Sequence, residues 1–169
     1  MGAGKTCIGR ELAGRLGIPF IDADTEIEAA AGCAIEDIFR LYGEQEFRNG
    51  ERRVLARLLD GSTQVLATGG GAFMDPDTRQ KAYEQAISIW LRADLDLLVS
   101  RVGRRSNRPL LRGKNPRKVL SKLIDERYPI YAEADITVDS VREAPEFTVE
   151  RVMQGLEIFL SSVDAESAA

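Results

Sequence analysis

Histidine is absent from the 169 residues. That removes Ser-His-Asp and Cys-His catalysis and any histidine metal site. Proton transfer must fall to a carboxylate, Lys, Tyr, Cys or water. Cysteine is scarce: Cys7 and Cys33 are too few for a disulfide scaffold and suit a reducing, cytoplasmic setting. Each reads as a small buried apolar residue rather than a nucleophile. No apolar run approaches the ~20 residues that cross a bilayer, and no basic-then-apolar leader opens the chain, so neither membrane insertion nor secretion is expected. An excess of positive charge is also missing. The balance of 23 basic and 27 acidic residues leaves a net charge of −4, against a general nucleic-acid binder. What remains, 44% hydrophobic and 30% charged, suits one compact domain over residues 1–169 with a single core.

Strand and helix patterns alternate along the chain. Ile8, Leu12 and Leu16 recur at helical spacing from Gly4 to Leu16, and Gly17 closes that helix. Ile18–Ile21 reads as a short buried strand. Residues 25–31 and 35–41 read as helices split by Gly32, and a longer helix runs from about Glu44 to Leu59 with Phe47, Val54, Leu55, Leu58 and Leu59 inward. Val65–Thr68 and Ile87–Leu91 are strands; a helix from Leu95 to about Val102 follows the second. Residues 103–115, rich in Gly, Arg, Ser, Asn, Pro and Lys, read as a mobile loop, which the family resemblance drawn below makes a lid. A helix from Arg117 to about Ala132, a strand at Ile136–Val138 and a helix from about Pro145 to Val163 complete the chain, with 164–169 a frayed tail. Short apolar strands between helices, without hairpin signals, indicate an α/β fold: a mostly parallel, doubly wound sheet covered on both faces.

Gly2-Ala3-Gly4-Lys5-Thr6 has the form of the latter part of a phosphate-binding loop. Its glycines let backbone N–H groups approach phosphate oxygens, and the following helix N-terminus favours that charge. Lys5 would span the β- and γ-phosphates, and the Thr6 hydroxyl would ligate magnesium. The first glycine of the motif would fall before Met1, at the end of a strand. An upstream start, with Met1 internal, is therefore expected. A chain without that central strand is expected to be poorly soluble or weakly active.

Asp22-Ala23-Asp24 stands at a strand end, where open α/β sheets bind ligands. One carboxylate there can serve magnesium and the other a substrate hydroxyl, whereas Asp-x-Asp alone would favour Asp24 as a helix N-cap. Gly69-Gly70-Gly71 also follows a strand and leaves backbone N–H groups bare for an anionic or hydroxylated ligand. Arg48, Arg108 and Arg127 add guanidinium forks that match carboxylate and phosphate geometry.

Together with Ile35-Glu36-Asp37-Ile38-Phe39, Gly43-Glu44-Gln45-Glu46-Phe47-Arg48, Arg108-Pro109-Leu110-Leu111 and Arg127-x-Pro129-x-Tyr131, these motifs closely resemble the shikimate kinases from residue 1 to about 145. The resemblance implies a three-layer P-loop kinase fold and ATP-dependent phosphorylation of the shikimate 3-hydroxyl, a step towards aromatic amino acids. By position it implies that Lys5 is the phosphate-loop lysine, Thr6 a magnesium ligand and Asp22 a magnesium ligand through water. Asp24 would accept the substrate hydroxyl proton. Arg48 and Arg127 would clamp the substrate carboxylate beside the Gly70 N–H. Arg108 would close on the phosphates and Arg101 would stack on adenine. Arg142, in a segment (140–145) that aligns only across a gap, is a further adenine candidate. The implied partners are shikimate and ATP with Mg2+, for a monomer binding neither nucleic acid nor membrane.

Two other readings compete. Another small-molecule kinase, for gluconate or a nucleoside monophosphate, would not need the glycine run together with Arg48 and Arg127. A nucleotide-binding protein without kinase activity is the second; a GTPase would normally show an Asn-Lys-x-Asp motif, which this chain lacks.

Overall fold

The computed structural model describes residues 2–103 and 115–167, the last two by backbone alone. The expected lid around Arg108 lies outside the described residues. The chain gathers into two compact units, Ala13–Ala86 and Met1–Leu12 with Ile87–Ala169. Helix α1 (Lys5–Leu16) starts in the second of these and ends in the first.

In the Ala13–Ala86 unit, β1 (Phe20–Asp22) and β2 (Val65–Ala67) pair in parallel, with Phe20 opposite Val65 and Asp22 opposite Ala67. The strand begins two residues later than its apolar pattern, because Pro19 has no N–H for a ladder; its carbonyl accepts from Val65 N at 2.8 Å. Helix α2 (Ala23–Ala31) follows at once and ends at Gly32, whose φ of 69° takes the left-handed conformation of a C-cap. Helix α3 (Ile35–Leu59) is broken at Gly43, φ 82° and ψ 174°, so the two segments expected on either side of it are both helical. Ile27, Ile38, Phe47 and Val54 form one buried cluster; Ala23, Leu55 and Ala72 form another with Leu66 against it. Periodicity assigned no helix to residues 76–85, yet α4 (Pro76–Gln85) is there. It lacks an apolar stripe and is specified instead by its start: Asp75 caps Thr78 N at 2.9 Å, with Pro76 in the first turn.

In the other unit, β3 (Ile89–Arg92) pairs in parallel with β4 (Ile136–Asp139). Asp135 Oδ2 accepts from Ser88 N at 2.7 Å at one end of this ladder, and Arg92 grips Asp139 at 2.6 and 2.8 Å at the other. Helices α5 (Leu95–Val102), α6 (Pro116–Tyr131) and α7 (Pro145–Ser167) complete it. Ala93, Leu97, Leu98, Val102 and Leu120 are its buried cluster. Trp90 meets Tyr128 and Tyr131 edge-on at 4.8 and 5.9 Å, which fixes α6 against β3. A Cβ at Gly155 would stand 2.8 Å from Ile136 Cγ2, so α7 lies directly on β4 there.

Three smaller expectations fail. Cys7 is exposed and Cys33 only half-buried, because Cys7 falls beside rather than on the Ile8–Leu12 stripe. Leu16 is 39% exposed at the end of α1. The expected frayed tail is helical to Ser167, since Ala165 and Glu166 are good helix formers.

Candidate active site

Residues 2–6 lead directly into α1. Gly2 and Gly4 have φ of 80° and 94°, a backbone that side chains with a Cβ rarely adopt. Gly4 O accepts from Ile8 N at 3.0 Å, so Lys5 and Thr6 occupy the first turn, with Thr6 exposed. Arg101, in the last turn of α5, crosses this loop. Its Nη1 donates to Ala3 O at 3.2 Å and Gly2 O at 3.4 Å and to Ser140 Oγ at 2.9 Å; Nη2 reaches Val141 O at 3.1 Å. The edges of the guanidinium are thus engaged by backbone. Arg142 is exposed on the segment after Ser140. Arg127 is half-buried on α6, and among the described residues its side chain has no hydrogen bond or ion pair.

The Ala13–Ala86 unit carries the other group. Asp22 is the cap of α2, its Oδ1 accepting from Asp24 N at 3.1 Å. The capping role considered for Asp24 belongs to Asp22 instead, and Asp24 stands exposed in the first turn. Arg48 lies on α3 and donates to Glu51 Oε2 at 2.6 Å and Glu44 Oε1 at 3.3 Å. Its guanidinium rests against Gly71: a Cβ built there would lie 2.7 Å from Arg48 Cζ. A Cβ at Gly69 would lie 3.2 Å from Glu51 Oε1 and 3.4 Å from Asp24 Oδ1. None of Gly69, Gly70 and Gly71 has positive φ. Two of these glycines therefore let charged side chains pack on bare backbone, a reason beyond exposing N–H groups. The run also enters a short 3-10 turn, Ala72–Met74, through Ala72 N to Gly69 O at 3.1 Å.

Glu51 escaped the sequence reading. It is 4% exposed, a level at which a carboxylate needs a partner. Burial pushes its pKa up, aided by the nearby Asp24 charge and opposed by Arg48. Burial alone would lower the Arg48 pKa, but Glu51 and then Glu44 outweigh it, so the guanidinium stays firmly charged. We take the pair as ionic, because arginine does not give up its proton in proteins. The spacing of Arg48 and Glu51, one helical turn apart, was the available signal. Nothing in the sequence sets the Ser140 hydroxyl apart within residues 140–145.

The structure thus gathers Asp22, Asp24, Arg48, Glu51, Gly69 and Gly71 in one unit, and Gly2, Ala3, Arg101 and Ser140 in the other. The profile of the shikimate kinase family matches residues 1–157. The chain belongs to the shikimate kinase family. A shikimate kinase of Paramagnetospirillum magneticum is 58% identical over 160 residues, 95% of this chain and 82% of the relative. A structure described as shikimate kinase from Acinetobacter baumannii in complex with shikimate superposes with a TM-score of 0.89. It is 39% identical and covers 96% of this chain and 89% of its own. A gluconokinase from Sinorhizobium meliloti covers 99% of this chain and 93% of its own at TM-score 0.63, but at 18% identity it shares the fold alone. The fold is accordingly that of the P-loop kinases, and the chain is a phosphotransferase. Among the described residues no helix is long and apolar enough to cross a membrane.

Proposed function

We propose that this chain transfers the terminal phosphoryl group of ATP to the 3-hydroxyl of shikimate. The observation that carries the reading is the Arg48–Gly71 contact beside Asp24: a fixed cation close to an exposed carboxylate, in a chain of this family. Arg48 suits the acid's carboxylate, and Arg127, which has no ion pair among the described residues, is the second arginine assigned to that role by the family resemblance. Gly69, Gly70 and Gly71 line the approach. Asp24 takes the hydroxyl proton as the oxygen attacks. On the nucleotide side, Gly2, Ala3, Gly4 and Lys5 receive the phosphates, Arg101 offers its guanidinium face to adenine, and Arg108 neutralises charge developing on the transferred group.

The hydroxyl of Thr6 and the carboxylate of Asp22 are hard oxygen donors that fit Mg2+; one Asp22 oxygen caps α2, and the other would hold the ion through water, as the family resemblance implies. Such an ion would supply charge neutralisation on the phosphates. The chain works as a monomer on these two small substrates.

The test measures ADP release by the purified protein with ATP and either shikimate or gluconate. Turnover with shikimate, and a fall of about 10²–10⁴ in Asp24→Asn with nucleotide binding kept, is expected. Preference for gluconate, or an Asp24→Asn variant with more than half the activity, would contradict the assignment.

A further inference from the structure

Ser140 is a polar residue 2% exposed that the reaction as described does not use. Its main chain is pinned at the end of the β3–β4 ladder, where Ser140 N donates to Arg92 O at 2.7 Å. Its hydroxyl then does two things at once. It accepts from Arg101 Nη1 at 2.9 Å and donates to Ala3 O at 3.2 Å. A hydroxyl is the smallest side-chain group able to do both. Arg101 Nη1 binds the same Ala3 carbonyl at 3.2 Å and that of Gly2 at 3.4 Å. Two successive carbonyls of the glycine loop are therefore drawn to one side, 137 residues along the chain from the hydroxyl that helps hold them.

Peptide planarity gives this a consequence. In a trans peptide the C=O and the following N–H point in opposite directions. Holding the Gly2 and Ala3 carbonyls on the Arg101–Ser140 side turns the N–H groups of Ala3 and Gly4 the other way. Gly2 and Gly4 have the positive φ values that permit this arrangement. We infer that Ser140 is a positioning residue: with Arg101 it orients the loop peptides so that their N–H groups face the nucleotide phosphates before ATP arrives. The inference rests on the reading of residues 2–6 as the phosphate loop.

The experiment compares inhibition constants of ADP and adenosine against ATP in the wild type, Ser140→Ala and Ser140→Thr, with shikimate KM measured alongside. Ser140→Ala should weaken ADP about tenfold, the size of one hydrogen bond to a charged group, and adenosine less than twofold. Shikimate KM should stay within twofold, and Ser140→Thr, which keeps the hydroxyl, should recover most of the ADP affinity. A general loss of structure would weaken all three ligands. Unchanged ADP inhibition in Ser140→Ala, equal weakening of ADP and adenosine, or a threonine variant as weak as the alanine one would overturn the inference. If the wild type turns over shikimate but is not inhibited by ADP, the reading of residues 2–6 fails and the inference with it. No turnover of shikimate at all overturns the proposed function alone, since ADP binding can still be titrated directly.

Discussion

Arg48 shows how one residue combines charge, place and restraint. It is held by Glu51 at 2.6 Å and by Glu44 at 3.3 Å, and it rests on a glycine. The Glu44 contact is exposed and contributes little; the buried Glu51 contact keeps the fork in place. Gly71→Ala isolates this arrangement because it adds one carbon where the guanidinium lies. Arg48 is too firmly paired to step aside freely, so it must leave its position or strain the 3-10 turn behind it. We expect shikimate KM to rise at least about tenfold, as a charge-assisted bond is lost. The KM for ATP should change less than twofold, and the thermal midpoint by only a few degrees. Comparing both KM values with the midpoint checks this; an unchanged shikimate KM would mean that Arg48 is not held where it binds substrate.

Element by element, the unit Ala13–Ala86 is organised by its helix starts. Asp22 opens α2, and Asp75 opens α4 while also accepting from Arg52 at 2.7 and 3.1 Å. Burial alone would raise the Asp75 pKa, but the hydrogen bonds from Arg52 and Thr78 outweigh it and hold the carboxyl below its usual range. A depressed acid contributes stability above its unfolded-state pKa and loses it as pH falls through the lower folded value. Between about pH 5 and 3, unfolding midpoints in urea should therefore fall more steeply for the wild type than for Asp75→Asn, which caps but does not titrate. Near pH 7, Asp75→Ala should lower stability by about 1–2 kcal/mol through the lost cap and the unpaired Arg52. Parallel pH profiles for wild type and Asp75→Asn would refute the first expectation.

At the scale of the whole molecule, folding and ligand binding are linked. A ligand held only by the native chain stabilises it by about 2.7 kcal/mol at a hundredfold excess over Kd. For a chain of this length that is a rise of about 5–10 °C in the unfolding midpoint. ADP and shikimate, added singly, should each produce such a shift in a thermal scan; a ligand that inhibits turnover without any shift would not be binding the native fold. The sequence by itself determined the features that depend on neighbours along the chain. These are the alternation of strands and helices, the breaks at Gly32 and Gly43, the glycine loop entering α1, and the motifs that identify the family. Each follows from local backbone preference or from spacing. The cap-driven helix α4 and the helical end at Ser167 escaped it, because neither carries a decisive apolar period. Only the tertiary structure decided that Glu51 is buried against Arg48, that Gly69 and Gly71 serve as seats for charged side chains, and that Ser140 reaches Ala3. Burial and contacts across long stretches of chain assign those roles, and they arise only once distant segments have packed.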